Sequence, residues 1–242
     1  MNSPPKCKLA VIAALEREIA GLLQHSKKVI REHQDRSFEF FERDAAVFIC
    51  AGIGLEAARR SAEAVIALYR PALVQSVGFA GALQSNMRVG HILVPGLLID
   101  ARDGSRTEMP DGNGTLLTFM SVADAKQKSR LAQSYAAQAV DMEAAGVAAA
   151  ARAHGIAFRA VKVISDDVNF EMPDMTRFVD AQGRFQSVRF AGYAALRPCL
   201  WPDIARLAGN SKKAAASLEK YLSDHCLSDH RSTNETAEAK TR

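Results

Sequence analysis

The sequence predicts a three-layer α/β/α fold around a central sheet, largely parallel or mixed. Short apolar runs recur along the chain and are continuous rather than alternating, as suits strands covered on both faces. Segments with apolar residues at helical spacing stand between them. The 242 residues, 48% apolar and 24% charged, fall close to ordinary globular usage and suffice for one core.

Residues 9–14, LAVIAA, read as the first strand. The apolar run is short and soon broken by Glu16, Arg17 and Glu18, so a signal peptide is not indicated. Leu15, Ile19, Leu22 and Leu23 then share one helix face. Residues 38–41 and 45–51 read as two strands with 42–44 as their turn. AGIG at 51–54 opens a helix packed through Ala57, Ala58, Ser61, Ala62, Val65 and Leu68, which Pro71 closes. Residues 73–77 form a strand, GFAGAL at 78–83 a turn, and 91–95 and 116–120 two further strands. An Ala-rich helix covers 142–153, and a strand over 158–164 runs into Ser165-Asp166-Asp167. A last helix runs from about 202 to 222. Residues 100–114 are polar and turn-rich, which fits either a mobile loop over a site or a plain solvated one. Residues 1–223 make one domain, and 224–242, poor in apolar side chains, read as a disordered tail.

Several function classes drop out. A net charge of +4 with scattered Lys and Arg does not point to nucleic acid. Cys7, Cys50, Cys199 and Cys226 lie far apart, with neither a disulfide framework nor zinc spacing. The six His have no partners at ligand spacing, so no metal or other cofactor is expected. No run reaches the ~18–20 apolar residues that span a bilayer. The expectation is a soluble, reduced, cytoplasmic protein.

Ligands of α/β sheets bind beyond the carboxyl ends of strands. Glu16 and Glu18, Gly52 and Gly54, Gly78 and Gly81, and Ser165-Asp166-Asp167 all fall at such ends, and Asp141-Met142-Glu143 begins a helix. Gly52-Ile53-Gly54 lacks the third glycine of a dinucleotide fingerprint, since Ala57 stands there, and it follows a later strand. It reads either as a close approach of main-chain N–H groups to a ligand or as an empty tight turn. Asp141 and Glu143 either complement the helix dipole or offer one carboxylate to a diol; they diverge on a helix, so only one should face a pocket. Asp166, desolvated at the end of VKVIS, would hold a proton near neutrality and suit a general acid; otherwise it caps a turn. Glu18 alone would be an exposed helix carboxylate.

Taken in order, VIAALEREIAGL, AGIGLEAA, VGFAGAL, AVDMEAAGVA and VKVISDD resemble the purine nucleoside phosphorylase and methylthioadenosine/S-adenosylhomocysteine nucleosidase superfamily. The matches spread over residues 9–180. The resemblance implies the nucleoside phosphorylase-like fold and release of adenine from a nucleoside through an oxocarbenium-like transition state. By similarity, Asp166, oriented by Ser165, protonates or hydrogen-bonds purine N7. Glu143 holds the ribose 2′ and 3′ hydroxyls above Met142, and Glu18 positions and deprotonates water. Val122 and Phe178 bracket the base, and Gly54 and Phe79 complete the substrate-binding set. The superfamily's phosphorylases place Arg and Ser around the third glycine segment, where this chain has Ser76 and Phe79. Phosphate would lose its counter-charge, so hydrolysis is favoured over phosphorolysis unless Arg17 or Arg59 substitutes.

The carboxyl-terminal stretch is similar to the hopanoid-associated phosphorylase-like branch, whose members are thought to release adenine from adenosylhopane. Segment 100–114 is shorter than in the methylthioadenosine nucleosidases, implying an open 5′ side. Leu97, Leu98, Phe190, Leu196, Leu200 and Trp201 would then suit a lipid substituent with transient membrane contact; otherwise they form a helix-packing face. A homodimer is implied as well. The alternatives are a methylthioadenosine/S-adenosylhomocysteine nucleosidase or purine nucleoside phosphorylase in salvage, a catalytically inactive nucleoside-binding protein, and, last, a dinucleotide-dependent oxidoreductase.

Overall fold

Leu9, Val11 and Ala13 turn to one side of the first strand, Ala10 and Ile12 to the other, and all five are buried. That double burial sets the architecture. The computed structural model describes residues 7–170, 176–178, 180, 183 and 185–227. Its strands are β1 (Leu9–Ala13), β2 (Lys27–His33), β3 (Arg36–Arg43), β4 (Ala46–Cys50), β5 (Leu73–Ala82), β6 (Ile92–Leu93), β7 (Leu97–Asp100), β8 (Arg106–Glu108), β9 (Thr115–Thr118), β10 (Ala139–Asp141) and β11 (Ala157–Asp166). Its α-helices are α1 (Ala20–Leu23), α2 (Leu55–Tyr69), α3 (Ala125–Tyr135), α4 (Ala144–Ala153), α5 (Ser187–Ala195) and α6 (Trp201–Leu222).

The strands join in one mixed sheet ordered β2-β3-β4-β1-β5-β10-β9-β7-β8, with β11 also paired to β5 and to β6. Leu9, Val11 and Ala13 pack against Ala214, Leu218 and Leu222 of α6, and Ala10 and Ile12 against α2 and α4. Further along, α3 buries Leu131 against Ile99, Leu117 and Val140. Helices on both faces of the sheet are the three layers read from the sequence.

β5 is the hub. It is parallel to β1 and β11 and antiparallel to β10. GFAGAL is therefore not the expected turn, because the strand continues through Ala82. The glycines serve close approach instead. A Cβ on Gly78, whose φ is +137°, would stand 2.8 Å from Glu18 Oε2, and one on Gly81 would stand 2.9 Å from Asp166 Oδ2.

Other expectations also change. The first helix is split into a 3₁₀ turn at Glu16–Glu18 and the short α1. β2 went unread because no residue of it is fully buried, so no apolar period marks it. The turn placed at 42–44 is shorter, since Glu42 and Arg43 extend β3. Residues 100–114 are not all loop: Arg106–Glu108 form β8, antiparallel to β7, and Arg102 binds Asp100 through backbone N–H and guanidinium. The proposed tail begins with a π-turn, Ser223–Leu227, and 228–242 lie outside the described residues. Among the described residues, no helix is long and apolar enough to cross a membrane.

Candidate active site

Three neighbours of β5 deliver four carboxylates to one cavity. β1 leads into the 3₁₀ turn carrying Glu18, β10 ends at Asp141 just before Glu143, and β11 ends at Asp166. A register shift between Ile164 and Asp166 puts Asp166 opposite Gly81, with Ser165 as the inserted residue. The cavity is lined by Glu18, Phe79, Val122, Met142, Glu143, Ser165 and Asp166, seven of the nine residues expected from the sequence.

Glu18 is 3% exposed, not the surface carboxylate that its helix position alone suggests. Its Oε2 accepts from the N–H groups of Ala14 (3.0 Å) and Leu15 (3.1 Å), and Oε1 from that of Phe79 (3.2 Å). Burial pushes its pKa above the ordinary carboxylate value; the Leu15 and Phe79 N–H groups, Lys162 and Arg17 work in the opposite direction.

Glu143 is the N-cap residue of α4. Its Oε1 accepts from Gly54 N–H at 2.8 Å, and Oε2 from Met142 N–H at 3.2 Å. Burial, then the neighbouring Asp141, push its pKa up to about 7. Gly54 thus differs from its expected role. It is not among the cavity-lining residues, and its N–H holds Glu143 rather than pointing at a ligand.

Asp141 and Glu143 both border the cavity, although only one was expected to, and their roles divide. Asp141 accepts from Ala144 N–H (2.8 Å) and Thr118 Oγ1 (2.6 Å) and pairs with Lys162 (2.9 Å). Lys162 is 1% exposed; burial alone would lower its pKa, but Asp141 and Glu143 hold it above the usual value. This ammonium balances the acidic wall. Sequence reading missed it, although a Lys inside the apolar run VKVIS was the available signal.

Asp166 has the Ser165 partner that the resemblance implies and a lysine that the sequence reading did not name. Ser165 Oγ donates to its Oδ1 at 2.7 Å, and Lys128 Nζ of α3 donates to its Oδ2. Lys128 was missed too. With Leu131, Ala132 and Tyr135 it occupies one stripe of α3, so a Lys heading an apolar stripe was the signal.

Phe178 is buried but not at the cavity. Its ring packs against Phe190 and Tyr193 at 5.4 and 5.2 Å, while Phe185 lines the cavity instead. Arg59 pairs with Glu56 and Glu63 along α2 and is not among the lining residues. Arg17 is among them, with its guanidinium 6.0 Å from the centre of the Phe79 ring. On β7, Leu98 is 1% exposed in the core and Leu97 packs partly buried with the α3 cluster; neither is among the residues lining the cavity expected to take a lipid substituent. Among the described residues, no group of His, Cys, Asp or Glu is arranged to hold a metal ion.

Residues 8–119 and 113–190 match the sequence profile of the phosphorylase superfamily. No curated protein matches the chain. Among solved structures, the 5′-methylthioadenosine/S-adenosylhomocysteine nucleosidase of Helicobacter pylori is similar at 15% identity and TM-score 0.68, over 91% of this chain and 98% of that one. The corresponding Neisseria meningitidis enzyme, bound to methylthio-immucillin-A, is similar at 17% identity and TM-score 0.66, over 89% and 96%. Futalosine hydrolase of Helicobacter pylori is similar at 15% identity and TM-score 0.64, over 90% and 98%. At these identities the likeness is one of fold.

Proposed function

The chain belongs to the phosphorylase superfamily, and from that premise we propose that it hydrolyses the N-glycosidic bond of a 5′-substituted adenine nucleoside, releasing adenine. The observation that carries the proposal is the seating of Glu18. Its buried carboxylate takes up the main-chain N–H groups of Ala14, Leu15 and Phe79 at the cavity wall. A phosphate dianion would find those donors engaged and a like charge beside it, whereas a water molecule meets an acceptor. Because burial makes Glu18 more basic than an ordinary carboxylate, it suits deprotonation of that water.

The remaining residues supply what the broken bond needs. Positive charge grows on the ribose as the base departs, and the Glu143 carboxylate stabilises it while accepting the 2′ and 3′ hydroxyls. Met142, partly exposed in the cavity, packs beneath the sugar. Val122 and Phe185 flank the base, and Asp166, held by Ser165, meets purine N7.

For the 5′ substituent we favour a long apolar group such as that of adenosylhopane. Phe185 at the cavity contacts Phe190 on α5, with ring centres 5.5 Å apart. Beyond it, Leu196 and Trp201 are 81% and 56% exposed at the junction of α5 and α6. Exposed apolar side chains at this junction, on the elements that carry Phe190, would suit a lipid tail and brief contact with a membrane. Methylthioadenosine and S-adenosylhomocysteine are the competing substrates. A homodimer is part of the same proposal, to be read from the mass in solution.

The test is chromatography of adenine released from adenosine, 5′-methylthioadenosine, S-adenosylhomocysteine and a 5′-alkyl adenosine, each with and without phosphate. Adenine without phosphate, fastest from the 5′-alkyl compound, is expected. Release only with phosphate would assign the nucleophile to phosphate and Arg17 to its binding. No adenine from any compound would favour a nucleoside-binding protein without catalysis.

A further inference from the structure

Asp166 is the group from which the proposed reaction takes a proton, yet it lies 4% exposed, and a base seated in the cavity covers the wall on which it stands. What it does touch is another proton carrier. Lys128, 2% exposed, donates from Nζ to Asp166 Oδ2 and, at 2.7 Å, to the Asp167 carbonyl. Lysine is almost never so buried unless paired, and here the pair lies on the cavity wall itself. β5 makes room for it: a Cβ on Gly81 would stand 2.9 Å from Asp166 Oδ2 and 3.2 Å from Lys128 Cε. The hydroxyl of Ser165 occupies the other oxygen of Asp166, so Lys128 is the charged partner of the carboxylate.

We propose that Lys128 is a positioning residue that acts through Asp166, supplying the proton that the departing base takes. The inference rests on the glycosidic cleavage proposed above. As the C1′–N9 bond breaks, its electron pair passes into the purine, and N7 takes a proton by way of Asp166. Asp166 receives one in turn from Lys128 Nζ along the existing hydrogen bond. Lys128 is left neutral; once the base leaves, water refilling the cavity takes up the proton that Glu18 has gained and returns one to Lys128, so both residues recover their starting states. The attacking water bonds to C1′ and gives its proton to Glu18. One water is consumed and nothing is oxidised or reduced. The bonds to Asp166 and Asp167 hold the ammonium in line for this transfer, so the proton need not be drawn from bulk water.

The experiment compares turnover by the wild type, Lys128→Met, Asp166→Asn and the double variant on the best substrate of the screen above. It repeats the comparison on the same nucleoside carrying 2-fluoroadenine. The fluorine makes the base a better leaving group, less dependent on protonation, without altering its N7 edge. Lys128→Met should lose about tenfold or more on the adenine substrate and distinctly less on the fluorinated one. The double variant should be no slower than Asp166→Asn, because both residues serve one proton path. Equal loss on both substrates, unchanged turnover, or losses that multiply in the double variant would each overturn the inference. If Lys128→Met does not fold, the comparison of the double variant with Asp166→Asn decides alone, since the double variant buries neither charge. A wild type inactive on every nucleoside would remove the cleavage reading, and this inference with it.

Discussion

Glu143 carries a titration that should be visible in both binding and stability. Burial and Asp141 raise its pKa from the ordinary 4.5 to about 7, so the folded protein holds that proton more tightly than the unfolded chain. Its contribution to stability is therefore full below about pH 4.5 and is lost as the pH rises through 7. The melting temperature of the wild type relative to Glu143→Gln should fall between pH 5 and 8, by several degrees at ~2–4 °C per kcal/mol. Only the ionised carboxylate accepts from both ribose hydroxyls, so KM should decrease as the pH rises through 7. Glu143→Gln should raise KM, lower kcat and flatten that dependence. Profiles of melting and KM against pH check both; a wild-type KM independent of pH would remove Glu143 from the ribose clamp. The sequence marked Glu18, Glu143 and Asp166 because each stands in a recognisable segment. Lys128 and Lys162 stayed hidden, because their meaning depends on which helix and strand lie opposite them.

At the scale of elements, β5 holds the site together, and its glycines are the weak points. Gly78→Ala would drive a methyl group into Glu18 at a left-handed φ, and Gly81→Ala would drive one into the Asp166–Lys128 pair. Each should cut turnover by roughly 100-fold, in proportion to a displacement near 1 Å, while the protein stays folded. Circular dichroism alongside kinetics checks this; full activity in either variant would show that the carboxylates tolerate displacement. This strand also shows where sequence reading stops. Two glycines and two alanines among apolar residues look like a turn, and only the partner strands reveal that the chain runs straight so that carboxylates can approach. β2 was illegible for a simpler reason, since its exposed pattern carries no periodicity. By contrast β1, buried on both faces, was plain from its composition.

For the whole molecule, the layers were legible because both faces of the sheet are covered, which forces apolar strands and small-residue helix stripes into the sequence. The convergence of three strand ends on one cavity was not, because strand order depends on long-range pairing. Residues 228–242 contain only Ala237 and Ala239 as apolar side chains, too little to bury. Their removal should leave activity intact and the melting temperature within about 2 °C, less than a ~1 kcal/mol change would produce. A larger loss by calorimetry would show that the segment packs against the domain.

The seat of Glu18 bears on how such a chain could change. The three donors belong to the main chain of Ala14, Leu15 and Phe79, so substitution at position 18 leaves them in place and an anion-binding socket is expected to persist there. Glu18→Ala would empty the socket beside Arg17 without disturbing the backbone that forms it. Formate should then restore part of the lost hydrolysis, and phosphate should turn from bystander into co-substrate, with ribose 1-phosphate as the product to look for. Absence of both effects would show that the socket collapses without its carboxylate. Hydrolase and phosphorylase would in that case be separated by more than one substitution; otherwise they are near neighbours in sequence space, one plug apart.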